Sequence, residues 1–319
     1  MLNPAPVAGD QPAPSVLILL CTCQGATYLA AQLASIAHQH YPHWVLYGSD
    51  DVSSDDTLTV LRSFAEQVGD QRVNIGHGPG QGSTANFLHL TRAVAGQARY
   101  YAWCDQDDVW EADKLQRAVA WLDQQPPDSP LLYCGRTRLI DGQDKVIGFS
   151  PMFTRPPCFR NALAQNIAGG NTMVFNEAAC RLITAIPADV SVPLHDWWAY
   201  LVVTACGGIV KYDPWPGVRY RQHGANQVGS NTAPRVRLKR LRNYLNGCYS
   251  TWTARNLEAL LAVYPGMTPE NRRVFDGFRQ LRTLDNRWQR LGQLHASGIF
   301  RQTLAGHLGL FLLALTGQL

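Results

Sequence analysis

Four apolar runs alternate with three amphipathic ones over residues 15–105, and this constrains the fold more than any other feature. SVLILLCT (15–22) is apolar without a break, as a strand is when both faces of its sheet are covered. YLAAQLASIAHQ (28–39) follows, with Leu29, Leu33, Ile36 and Ala37 recurring at helical spacing. HWVLYGSD (43–50), RVNIGH (72–77) and ARYYAWCD (98–105) read as further strands. SSDDTLTVLRSFAEQV (53–68) and TANFLHLTRAVAGQ (84–97) read as helices, the first with Ser or Asp at its cap. Strand and helix in turn predict a parallel sheet with helices on both faces.

In such a sheet, ligands bind beyond the carboxyl ends of the strands. The loops CTCQGAT, GSDDVSSDD, GHGPGQGS and CDQDD all fall on that edge. Within YYAWCDQDDVW (100–110), Asp105, Asp107 and Asp108 follow directly on a strand that reads as buried. Clustered carboxylates repel one another unless a cation or free water lies between them. A solvated acidic turn is the alternative. The first loop has only Gly25, so the dinucleotide fingerprint is missing, and no GxxxxGK[ST] exists. DQDDVWEADKLQ has Trp110 and Gln116 where a calcium loop of the helix–loop–helix type requires Gly and Glu. Acidic loops at this edge suit a divalent ion holding a diphosphate.

The composition, 46% hydrophobic and 16% charged, is that of a globular chain. Its 319 residues suffice for one large α/β domain with an appendage. Net charge is +4 but uneven. From Pro234 onward Arg235, Arg237, Lys239, Arg240 and Arg242 come in one burst, and the acids are only Glu258, Glu270, Asp276 and Asp285. That asymmetry asks for an anionic partner, a membrane surface or a nucleic acid. The eight cysteines form no CxxC pair, no signal peptide is evident, and no apolar run reaches the roughly 20 residues that span a bilayer. A reducing cytoplasm fits these features.

The chain resembles the family 2 inverting glycosyltransferases of GT-A fold over about residues 15–225. The resemblance is carried in order by SVLILLCTCQGATYLAAQLASI, SDDVSSDDTL, NFLHL, DQDDVWEADKL, GGNTMVFN, HDWWAYLV and RYRQHGANQVG. Within the family it is most similar to rhamnosyltransferase-type members of bacterial surface-polysaccharide pathways. The fold implied is a Rossmann-like, mostly parallel sheet with flanking helices. The organisation expected is a flexible 1–14, a GT-A domain over 15–230 and a basic, mainly helical region over 231–319.

The resemblance also implies roles. Asp51 faces the donor's base, and Thr22 lines the base and ribose. Asp105 and Asp107 stand in place of the family's DxD, with Asp108 adjacent, and hold Mn²⁺ or Mg²⁺ against the diphosphate. His223 approaches that metal. Gly170 and Asn171 shape the floor beneath the sugar, and Asp196 is the base. Cys23 and Gln24 replace the family's usual Tyr-Asn pair, a departure that bears on nucleotide preference. Bland alternatives stay open: Asp51 or Asp196 as a helix cap, Asn171 as a turn residue, His223 as a loop histidine, the tryptophans as core instead of sugar platforms. Lys114 reads as a helix-surface lysine, with pairing to the diphosphate as the alternative.

The implied reaction moves a sugar from a nucleoside-diphosphate donor to a hydroxyl of a glycan or lipid-linked glycan, with no nucleic-acid partner. A metal-dependent nucleotidyltransferase or phosphohydrolase is an alternative, though CTCQGAT lacks the cations such a site needs. A non-catalytic nucleotide-sugar binder is another, though it needs no base. In the C-terminal region, PRVRLKRLRNYL (234–245) sets Leu238, Leu241 and Leu245 on one helical face, and GIFRQTLAGHLGLFLLALTGQL (298–319) is nearly uncharged. One reading lays this region on the inner face of an anionic membrane. The other packs its leucines on the catalytic domain or on a second subunit of a homo-oligomer.

Overall fold

The computed structural model describes residues 15–187, 190–223 and 248–319; the 1–14 lead-in and the basic stretch 234–245 lie outside them. The alternation over 15–105 forms as expected. β1 (Val16–Thr22), α1 (Ala26–Ala37), β2 (Trp44–Asp50), α2 (Thr57–Val68), β3 (Val73–His77), α3 (Ser83–Val94) and β4 (Tyr100–Asp105) follow one another. α2 starts four residues later than the expected 53 because the serines are otherwise engaged. Ser53 gives its amide and hydroxyl to Asp50 at 2.9 and 2.6 Å, and Ser54 meets the Gln24 side chain at 3.1 Å.

Then come β5 (Val109–Trp110), α4 (Lys114–Leu122), β6 (Leu131–Ile140), β7 (Val146–Phe149), α5 (Phe159–Ala162), β8 (Val174–Asn176), α6 (Glu177–Thr184), α7 (His195–Ala205) and β9 (Ile209–Arg221). The sheet runs β3-β2-β1-β4-β8-β6-β9-β5, with β7 on β6. β3, β2, β1 and β4 are parallel; β8 enters antiparallel between β4 and β6.

β1 explains why its sequence is apolar throughout. Leu17 and Leu19 join the buried cluster on one face, with Phe87 of α3 and Trp198 of α7. Val16, Ile18 and Leu20 join the cluster on the other, with Leu29, Leu61 and Leu115. Truncating such a side chain, as in Leu19→Ala, costs about 2–5 kcal/mol.

Four helices close the chain: α8 (Cys248–Leu260), α9 (Pro269–Thr283), α10 (Arg287–Ser297) and α11 (Leu304–Thr316). Leu257, Leu260, Phe275, Phe278, Leu294, Leu310 and Leu313 join the same cluster as Trp198 and Tyr200, so this region completes the core on one sheet face. No helix among the described residues is long and apolar enough to cross a membrane.

Candidate active site

Strand register brings the polar loops level. Thr22 pairs with Asp50 across β1 and β2, Cys21 with Asp105 across β1 and β4, and Asp50 with His77 across β2 and β3. Three strands therefore deliver the first acidic loop, the DQDD loop and the glycine-rich loop to one edge.

The two acids of the first loop are put to different uses. Asp50 is buried and accepts the Thr22 hydroxyl at 2.8 Å as well as both Ser53 donors. Thr22 is buried too, so its hydroxyl is committed to Asp50. The carboxylate of Asp51 accepts the Gly80 amide at 2.6 Å and the Gly82 amide at 2.8 Å. Gly80 and Gly82 have φ of +67° and +87°, the left-handed region that suits glycine. The glycine-rich loop thus cradles a protein carboxylate, and Asp51 does not cap α2. Beside it, Val52 has φ +64° and is 71% exposed, a strained setting for a β-branched residue.

In the DQDD loop each side chain has its own task. Gln106 pairs with the backbone of Cys23, its Oε1 accepting from the Cys23 amide at 2.8 Å and its Nε2 donating to the carbonyl at 2.9 Å. It joins the first and fourth loops where the Tyr-Asn pair is missing. Asp107 lies 2.7 Å from His223 Nε2. Asp108, expected among the metal ligands, is fully buried. Its two oxygens accept from the Asn171 amide and from the Arg221 backbone N–H, the latter at 3.1 Å. Arg221 also donates from Nε to the Asp107 carbonyl at 2.9 Å, while its guanidinium lies 4.6 Å over the Tyr28 ring. Asn171 is thus a buried bracket beneath the loop.

Asp196 arrives in the first turn of α7 and is not its cap. It accepts from the Gly170 amide at 3.2 Å and from the Trp197 amide at 2.6 Å. Burial pushes its carboxyl up to about 6 against those hydrogen bonds. Burial, with the charges of Asp107 and then Asp196, pushes Asp105 up to about 8. The base candidate and the acidic loop therefore feel each other's charge. A Cβ at Gly170 would meet His195 Nε2 at 2.7 Å, so only glycine lets the floor approach this closely. His195 stacks on Phe87 at 4.2 Å, and burial holds it neutral, down at about 3.

Among the described residues no three His, Cys, Asp or Glu side chains form a ready cage for a metal ion. The donor set nevertheless fits one. Asp105 is half-buried beside the like charges of Asp107 and Asp196, a setting that a cation would relieve, and Asp107 and His223 add an oxygen and a nitrogen. A site of one or two carboxylates completed by substrate phosphates is the usual form for a hard divalent ion.

Lys114 departs from its expected surface position. It is buried, its ammonium lies 3.6 Å over the Trp110 ring, and burial lowers it to about 7. Trp197 and Trp198 are core: their indoles donate to Ala162 and Ile183 carbonyls at 2.7 and 2.9 Å. The roles of Gln106 and Arg221 escaped the sequence reading, because a bidentate amide and a buried guanidinium leave no spacing signal.

The model of the family "Glycosyl transferase family 2" matches residues 15–182, more than half of the chain, and the chain belongs to that family. It is similar to the dTDP-rhamnosyl transferase RfbG of Shigella flexneri, at 27% identity over 70% of this chain and 78% of that protein. It is 28% identical to the putative teichuronic acid biosynthesis glycosyltransferase TuaG of Bacillus subtilis, over 34% of this chain and 42% of that protein. Among solved structures, S. aureus TarS in complex with UDP-GlcNAc shares the fold with a TM-score of 0.55 at 11% identity, over 95% of this chain and 90% of that one.

Proposed function

We propose that this family 2 glycosyltransferase moves a sugar from dTDP-rhamnose or a UDP-sugar to a hydroxyl of a glycan or lipid-linked glycan, with inversion, in bacterial surface-polysaccharide synthesis. The observation that carries this reading is Asp196. It is a carboxylate set on its own helix, oriented by two backbone amides, raised toward neutrality, and within electrostatic reach of Asp105. Similarity to RfbG supports the rhamnosyl donor, and similarity to TuaG supports the pathway class.

In the proposed reaction the acceptor hydroxyl gives its proton to an Asp196 oxygen while its own oxygen bonds to the anomeric carbon. The bond from that carbon to the diphosphate breaks on the opposite face, and nucleoside diphosphate leaves. A positioned base of this kind contributes typically 10²–10⁴-fold. Asp105, Asp107 and His223 would hold Mn²⁺ or Mg²⁺, which supplies Lewis-acid neutralisation of the departing diphosphate. Asp108, with Asn171 and Arg221, fixes the loop that carries those ligands. The edge at Asp51 and Thr22 receives the base and ribose, and Gly170 and Asn171 form the floor under the sugar.

The test is acceptor-dependent release of dTDP or UDP from candidate donors with Mn²⁺. Release of nucleoside monophosphate or free phosphate points instead to nucleotidyl transfer or phosphohydrolysis. Donor binding with no turnover for any acceptor points to a binding protein.

A further inference from the structure

α11 has two apolar faces, and the fold uses one. Leu310, Leu313 and Ala314 are buried in the core. Leu304, Leu308 and Leu312 are 76%, 62% and 49% exposed. Their spacing of four lines them along one side of the helix over about 12 Å. The helix carries no Asp, Glu, Lys or Arg; His307 is its one titratable side chain.

Cations and an exposed tryptophan lie near the two ends of α11. The Arg290 guanidinium lies at Gly317, just past the end of α11, so the first turn of α10 flanks that end. In that turn Trp288 is 66% exposed, with the Arg287 guanidinium 5.4 Å over its ring. At the other end Arg155 stacks 3.4 Å over Phe300, while the Arg301 guanidinium turns inward, donating from Nε to the Ala164 carbonyl at 2.9 Å and lying 4.9 Å over the Tyr249 ring. Residues 286–319 contain no Asp or Glu at all.

We propose that this face docks on an anionic lipid bilayer, with Leu304, Leu308, Leu312 and Trp288 at the acyl–headgroup boundary and Arg155, Arg287 and Arg290 at lipid phosphates. A leucine stripe on a helix with an indole and cations near its ends, in a stretch without acids, matches such a surface in both polarity and charge. A helix of 13 residues is about 20 Å long, short of the roughly 30 Å hydrocarbon core, so it lies in the plane of the surface. A second copy of the chain related by a two-fold axis is the poorer occupant. It sets the same arginines against one another with no acid between them.

Full-length protein floated with vesicles of phosphatidylcholine and phosphatidylglycerol at low salt tests this. The wild type co-floats, does so less with pure phosphatidylcholine, and is released by salt. Combined Leu304→Gln, Leu308→Gln and Leu312→Gln weaken partitioning by roughly tenfold or more at an unchanged melting temperature. Leu308→Gln alone gives a smaller loss, and serves if the triple variant does not fold. Nucleoside diphosphate release, read without vesicles, is unchanged in these variants, so failed docking is distinguishable from failed catalysis. The proposal is overturned if the wild type stays in the soluble fraction or if the variants float as well as the wild type. It is also overturned if the substitutions only convert a dimer to a monomer.

Discussion

The backbone amide of Gly170 donates to Oδ2 of Asp196 at 3.2 Å. The floor of the site and its proposed base are thus one unit, held by a contact that a side chain at 170 would break. Gly170→Ala places a Cβ 3.3 Å from Asp196 Cβ and 2.7 Å from His195 Nε2. The expected outcome is a kcat lower by roughly 10²-fold from a displaced base, with donor affinity close to wild type. Steady-state kinetics with separate donor titration checks it.

Asp196 gives the reaction its acid limb. With its carboxyl at about 6, log kcat falls with decreasing pH below that value and is level above it. The stability sign runs the other way. The folded carboxyl lies above its ordinary 3.8, so its stabilising contribution is complete below that value and is lost as pH rises past about 6. Asp196→Asn therefore raises the melting temperature at neutral pH, measurable by calorimetry, while it removes the base.

Asp107 and Asp108 are neighbours with opposite expected phenotypes. Asp107→Ala removes a proposed metal ligand and leaves the core untouched, so donor binding loses its response to Mn²⁺ while the melting temperature barely moves. Asp108→Ala leaves the buried Asn171 amide and Arg221 N–H without an acceptor, at about 1–3 kcal/mol each. It lowers the melting temperature. Wild-type turnover in the presence of a chelator would contradict the metal reading.

Val52 holds strain that a glycine releases. A left-handed conformation costs a side-chain-bearing residue roughly 1–2 kcal/mol. Val52→Gly is expected to stabilise the fold by about 1 kcal/mol in denaturant titration, because the exposed valine has little packing to lose.

The first four strands and their helices were legible because both faces of that sheet are covered, which leaves apolar runs and helical periods in the sequence. The carboxylates at strand ends were legible as a group for the same reason: charge directly after a buried strand is conspicuous. Their individual uses were not. Asp51 is satisfied by glycine amides 29 and 31 residues away, and Asp108 by Asn171 and Arg221. Lys114 was misplaced because a lysine near a helix start normally snorkels to water, and here an indole face covers it. The antiparallel insertion of β8, only three residues long, is too short to carry a pattern.

The most direct measurement is acceptor-dependent nucleoside diphosphate release by the wild type and by Asp196→Asn, across dTDP-rhamnose and UDP-sugars with Mn²⁺. Turnover with one of these donors, lowered by roughly 10²–10⁴-fold in the variant at near-equal donor affinity, is the predicted result. Turnover in Asp196→Asn equal to the wild type would contradict the account.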